Sequence, residues 1–316
     1  MEKTLDFLAV GEALIDMTPQ EGAFLPKVGG APVNSACVAA KLGLRSGAAT
    51  RVGDDAFGRQ IADKLKECGL SLETMQFDTE RGTTLAFVHL DANGDRTFSF
   101  YRHELADTAL ELTDKLLEAA RSTKVLHFGS VGLTEEPERS TVLNLAAEAK
   151  TAGAIVSYDP NLRFPLWQGR EDELKREALA AMEHATTLKI SDDEVEWLFG
   201  LTEPESAAEE LRRRYGLDAV FVTCGGKGAV GAFECGTVRV EAPDVEVVDT
   251  TGAGDCFGGA ALTKLLSFGG DAKKLTPEQA EELMRFASAA GSLATTKKGA
   301  IDAIPSVEEI EALMKR

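Results

Sequence analysis

An α/β fold, built on a doubly wound and mostly parallel sheet with helices on both faces and a small extra β-sheet, follows from three features of the chain. Short apolar runs alternate with amphipathic stretches for most of the length. Each run ends at a turn or polar site, and a single hairpin breaks the rhythm.

Taken in order, residues 5–11 (LDFLAVG) form the first apolar run, of the kind a central strand presents when both its faces are buried. Similar runs start at residues 125 (VLHFGSV), 154 (AIVSYDP) and 219 (AVFVTCG). Between them, residues 54–67, 137–152 and 203–215 carry apolar side chains at spacings of three and four, which predicts crossover helices. Residues 83–89 and 96–101 read as strands joined through Asn93-Gly94, a strong hairpin signal. An extended stretch at 13–28, broken by Pro19 and Gly22, can pair with that hairpin. Together the segments at about 13–28 and 83–106 predict a lid on one domain spanning 1–316. The final acidic stretch, 307–316, reads as a solvated helix.

Acidic residues outnumber basic ones 52 to 34, for a net charge of −18. That field repels phosphate backbones and anionic membranes, so nucleic acid and membrane are not expected partners. An anionic substrate must be drawn in by local groups and a metal ion. The five cysteines show no CxxC pair and no metal-ligand spacing, which predicts reduced thiols. The N-terminus fits neither a signal peptide nor a membrane span, and the expected location is the cytoplasm.

The densest chemistry lies in Asp249-Thr250-Thr251-Gly252-Ala253-Gly254-Asp255, which follows the strand-like run VEVV and opens a helical stretch. Small residues at a helix start let backbone N–H groups approach an anion, and the helix dipole adds positive charge. Asp255 there is either an N-cap or a general base, since a carboxylate beside a phosphate is repelled unless it accepts a proton. Thr223-Cys224-Gly225-Gly226-Lys227-Gly228 reads as a nucleotide loop or a plain glycine turn. Its overlap with a GxGxxG pattern does not mark a dinucleotide site, because the chain then returns to alternating, strand-like sequence instead of a helix. Gly29-Gly30-Ala31-Pro32-Val33-Asn34 opens another helix, with Asn34 able to bind a sugar hydroxyl. Asp16 stands just past a strand end, as a ligand for hydroxyls or a solvated turn acid.

In order and spacing these segments resemble the ribokinase-like (PfkB) carbohydrate kinases over essentially the whole chain. The resemblance implies ATP-dependent phosphorylation of a sugar hydroxyl, with Asp255 as base and the amides of Gly252, Ala253 and Gly254 as anion hole. It further implies nucleotide contacts from Ser191, Thr223, Gly225, Gly226, Lys227, Gly228, Gly254 and Ser288. Mg²⁺ is expected near Glu194, acting indirectly, with Ser191 standing where the family usually has Asn. A monovalent cation, K⁺, is expected at Asp249, Thr251, Ala294 and Gly299. The sugar is expected to meet Asp16, Gly29, Gly30, Asn34, Arg102, Arg163 and Asp255. The segments GEALIDM, FYRHELAD and YDPNLRFPLW are most similar to fructokinases, implying fructose 6-phosphate as product. A 2-keto-3-deoxygluconate kinase is the alternative, followed by a nucleoside kinase or an inactive sugar-binding regulator. A homodimer joined through the lid is expected, because exposed sheet edges need covering.

Overall fold

The computed structural model describes residues 3–90 and 96–315. In chain order the strands are β1 (Leu5–Val10), β2 (Leu14–Gln20), β3 (Ala23–Gly29), β4 (Ser46–Ala49), β5 (Arg51–Gly53), β6 (Gln76–Asp78) and β7 (Leu85–Leu90). They continue as β8 (Arg96–Tyr101), β9 (Thr123–Gly129), β10 (Ile155–Asp159), β11 (Thr187–Ser191), β12 (Ala219–Thr223), β13 (Ala229–Phe233) and β14 (Gly236–Val240). The helices are α1 (Ala31–Lys41), α2 (Ala56–Glu67), α3 (Asp114–Arg121), α4 (Glu138–Thr151) and α5 (Glu171–Met182). After them come α6 (Asp192–Phe199), α7 (Pro204–Tyr215), α8 (Ala253–Ser267), α9 (Pro277–Ala294) and α10 (Val307–Met314).

The main sheet runs β14-β13-β12-β11-β10-β9-β1-β4 and is parallel from β4 through β12. Only β13 and β14 run antiparallel. That meander answers the glycine pattern near 226, since the chain returns to a strand where a dinucleotide fold has a helix. Strand β1 shows why the apolar runs are continuous. Leu8 and Val10 face a core with Leu126, Phe128 and Tyr158, whereas Phe7 and Ala9 face another with Val33 of α1 and Ile61 of α2. A residue such as Leu8, fully buried, is worth about 2–5 kcal/mol against alanine.

A second sheet, ordered β3-β2-β7-β8, joins the stretch at 13–28 to the hairpin strands, as expected. The Asn93-Gly94 turn itself lies outside the described residues. Pairing puts Asp16, Ala86 and Phe100 on one face, with Phe98 following two residues before Phe100. Arg163, from the loop after β10, stands over the Phe98 ring at 5.9 Å, so this face looks onto the main sheet. On the other face Ile15, Met17 and Val28 pack near α2, and further out Phe24, Phe87 and Tyr101 form an edge-to-face cluster.

One expected strand is absent: residues 245–248, the VEVV run, form irregular chain whose Val247 and Val248 are exposed. Val248 and Asp249 instead send their N–H groups to the Thr295 carbonyl, at 2.8 and 3.0 Å. Alternating sequence alone cannot say whether an extended segment finds a strand to pair with.

Candidate active site

Helix α8 begins with Gly252 as N-cap at φ +75°, a left-handed conformation that glycine adopts freely. A side chain there would also meet the Ala300 Cβ at 2.6 Å. Asp255 is therefore in the first turn, three residues beyond the cap, and it makes no capping bond. The N-cap explanation for this carboxylate is set aside. The first turn leaves the N–H groups of Gly252, Gly254 and Asp255 without intrahelical acceptors, while that of Ala253 donates to the Thr250 carbonyl at 3.2 Å, and the helix dipole supports an anion there.

Asp255 is 9% exposed. Asn34 of α1 donates to its Oδ2 at 2.8 Å, and Ser35 donates to its backbone carbonyl at 3.2 Å. Burial pushes its pKa up, while the Lys189 ammonium and the Asn34 bond oppose that rise. Lys189 was not singled out from the sequence. From β11 its chain crosses the first turn of α8, its Nζ 2.8 Å from where a Gly254 Cβ would be and its Cδ 3.7 Å from that of Gly258. Its ammonium pairs with Asp159 at 2.8 Å, and nearby carboxylates keep it protonated despite full burial. A lysine inside the buried run TLKIS was the available signal. Cys256 is buried against the Ala290 carbonyl with its thiol pKa pushed up, so it is inert.

On the nucleotide side, a cavity of about 420 Å³ is walled by Thr223, Gly225, Gly226, Gly228, Ala253, Gly254 and Ser288. Lys227 is exposed and off this wall, and Ser191 is off it too. Lys227 follows a tight turn closed by its N–H to Cys224, which directs it to solvent. Ser191 caps α6 in a capping box with Glu194. Residues 242–245, Val247, Thr250 and Phe257 add a wall that the sequence did not reveal. The apolar VEVV run was its trace.

Both Glu194 oxygens accept backbone N–H groups, from Leu162 at 2.6 Å and Ser191 at 3.0 Å. Each keeps a lone pair for a metal-bound water, which fits the indirect magnesium role. Asp249 ties the expected cation joint together, accepting from Thr251 N at 2.8 Å and Gly299 N at 2.9 Å. Ala294 ends α9 beside Thr295, and the buried Thr251 hydroxyl has no partner among the described residues, so the oxygen-rich joint fits a monovalent ion.

On the lid side, Asp16 lies directly over Gly29, where a Cβ would collide with its carboxylate. Gly30 adopts φ +117° against the Glu12 carbonyl. Arg163 donates to the Asn161 side chain at 2.5 Å and lies within electrostatic reach of Asp255. Arg102 departs from expectation. It is 3% exposed, and its Nε, Nη1 and Nη2 are bound to Asp107 at 2.6 Å, the Thr134 hydroxyl and Glu138 at 2.5 Å, so its head group is buried beneath the lid and turned to these acceptors instead of the sugar cleft.

Among curated proteins, a probable fructokinase-4 of Arabidopsis thaliana is 39% identical over 324 residues, covering 99% of this chain and 98% of its own. Among solved structures, the fructokinase of Xylella fastidiosa with bound ATP superposes with TM-score 0.90 at 31% identity, covering 100% of this chain and 99% of that one. The fructokinase of Vibrio cholerae O395 bound to fructose, ADP and calcium gives TM-score 0.86, also at 31% identity, over 99% and 100% of the two chains. The family model described as "pfkB family carbohydrate kinase" matches residues 4–307, so this chain belongs to the pfkB family of carbohydrate kinases.

Proposed function

We propose that this enzyme is a fructokinase, transferring the γ-phosphoryl group of ATP to the 6-hydroxyl of fructose. The observation that carries the reading is the place of Asp255, a buried carboxylate at the junction of two spaces. The nucleotide cavity shares Gly254 as wall, and Asn34 approaches from the sugar side. Asp255 takes the hydroxyl proton as the oxygen attacks phosphorus, the bond to the β,γ-bridging oxygen breaks, and ADP leaves. The N–H groups of Gly252 and Gly254, joined by that of Ala253 if it leaves the Thr250 carbonyl, hold the charge that develops on the transferred group. Glu194 would hold magnesium through a bound water, and Asp249, Thr251, Ala294 and Gly299 would hold potassium, the two ions supplying positive charge near the phosphates.

Asp16, Asn34 and Arg163 orient the sugar under the lid, which excludes water as a competing nucleophile. Asp16 also disfavours an acid sugar such as 2-keto-3-deoxygluconate, by about 1–4 kcal/mol at 4 Å depending on the effective dielectric. The named fructokinase relatives support the same choice. Turnover with ATP, Mg²⁺ and K⁺ across fructose, 2-keto-3-deoxygluconate, ribose, tagatose and adenosine tests it. Fructose is expected to lead in kcat/KM, and a keto-acid preference would overturn the assignment.

The lid's outer face, with Phe24 40% and Tyr101 64% exposed, is proposed to pack on a second copy's lid in a cytoplasmic homodimer. Light scattering is expected to give twice the chain mass, and Tyr101→Glu half of that. No described helix is long and apolar enough to cross a membrane.

A further inference from the structure

Arg102 and its partners form a buried knot where the two sheets meet. The chain passes between main body and small sheet at four points, and each contributes a polar group to this knot. Glu12 precedes β2, Ala31 follows β3, Thr84 precedes β7, and Arg102 follows β8. The Arg102 Nε donates to Asp107, which also accepts from the Thr84 hydroxyl at 2.6 Å. Glu12 accepts from the Ala31 N–H at 3.1 Å and faces Arg102. Two further partners, Thr134 and Glu138, belong to the main body beyond β9. Every charged member is nearly or fully buried.

Three carboxylates, Glu12, Asp107 and Glu138, thus surround one guanidinium. Burial pushes the Glu12 carboxyl up to about 7 and raises that of Glu138, against the pull of the Arg102 guanidinium on both. Such a cluster is stiff, because moving any member strands a charge in low dielectric.

We propose that Arg102, fastened to Asp107 and Glu138, is the clamp that sets the angle of the small sheet on the main sheet, and so is a positioning residue for the sugar. It acts through Asp16 on β2 and Phe98 on β8, both on the face that looks onto the main sheet. The inference rests on the sugar-kinase reading of that cleft.

Glu138→Gln is the discriminating variant, because Glu138 is fully buried on α4, at the far end of the Arg102 contact. It is expected to raise KM for fructose at least tenfold, leave kcat at saturation within a few-fold, and leave ATP affinity unchanged. Arg102→Met is expected to do the same. Amide exchange in the apo protein is expected to quicken in β2, β7 and β8 and stay unchanged in β9 to β12. A raised KM in Arg102→Met with a normal KM in Glu138→Gln would overturn the clamp and make Arg102 a direct sugar ligand. If either single variant fails to fold, Arg102→Met/Glu138→Gln removes both charges together and carries the same expectation; unchanged KM and exchange there would overturn it equally. The exchange arm needs no sugar, so the clamp stands or falls separately from the substrate assignment.

Discussion

A general base must be ionised before it can take a proton, and burial works against ionisation. For Asp255, the proposed base, the counterweight is Lys189, whose ammonium rests on the Gly254 turn and is itself held by Asp159. Asp255→Asn is expected to lower kcat by about 10² or more with ATP binding kept, read by steady-state kinetics and nucleotide titration. Lys189→Met removes the cation that favours the carboxylate, so the acid limb of the kcat/KM profile is expected to move to higher pH. The groups facing Asp255 are Lys189, Asp159, Arg163, Cys256 and the neutral Asn34, and only the first is deleted. An unmoved limb in a folded variant would count against the tuning role. Asp255 and its glycines were legible because the anion cradle is one contiguous segment. Lys189 was not, because its meaning lies in α8, more than sixty residues away in sequence. Arg102 was misjudged for the opposite reason: a lid arginine has the chemistry to bind a sugar, and only its burial among carboxylates shows where its donors go.

At the scale of elements, caps and crossings decide what the periodicity leaves open. The crossover helices at 54–67, 137–152 and 203–215 were legible to within a few residues, since each lays an apolar stripe on strands, α4 and α7 on the main sheet and α2 on β2, β3 and β5. The VEVV run misled because an alternating segment becomes a strand only if a neighbour offers its backbone, and Thr295 offers one carbonyl instead. Glu12, at the entry to β2, carries a pH consequence. Its pKa rises from 4.5 to about 7 in the folded chain. The proton it holds therefore contributes stability that is complete below its ordinary value and is lost as pH rises through about 7. Asp78 and Glu173, whose pKa values are lowered to about 2, contribute in the opposite sense, losing stability as pH falls. Thermal melts from pH 5 to 8 are expected to show a loss of stability toward the alkaline side that Glu12→Gln flattens. A variant with the wild-type slope would assign that loss elsewhere.

The molecule as a whole carries a net charge of −18 and takes an anionic nucleotide. Long-range repulsion opposes its approach over a range that salt controls, and on the proposed reading the α8 N-terminus and magnesium offset it locally. The Debye length shrinks from about 30 Å at 0.01 M to about 8 Å at 0.15 M. With free Mg²⁺ fixed, kcat/KM for ATP is expected to rise as ionic strength increases across that interval, and a fall would mean that the local cradle dominates the approach. The fold class was legible at this scale because alternating runs and crossovers leave few ways to build a sheet. The separate small sheet was legible from its hairpin signal. The wall at residues 242–245 and 247 was not, since irregular chain takes its shape from packing against distant elements, such as α10 at Val245, that the sequence does not place beside it.

Strands of the small sheet answer to two masters at alternating positions. On β8, Phe98 and Phe100 look toward the main sheet, while Tyr101 joins the aromatic cluster on the outer face. The two sets can drift separately in evolution, one following the sugar and the other following whatever covers the outer face. An engineer could therefore redesign substrate choice at every second residue without touching the chemistry at Asp255. A single-residue insertion in β8 would exchange the two sets, turning Phe98 and Phe100 outward and Tyr101 inward in one step.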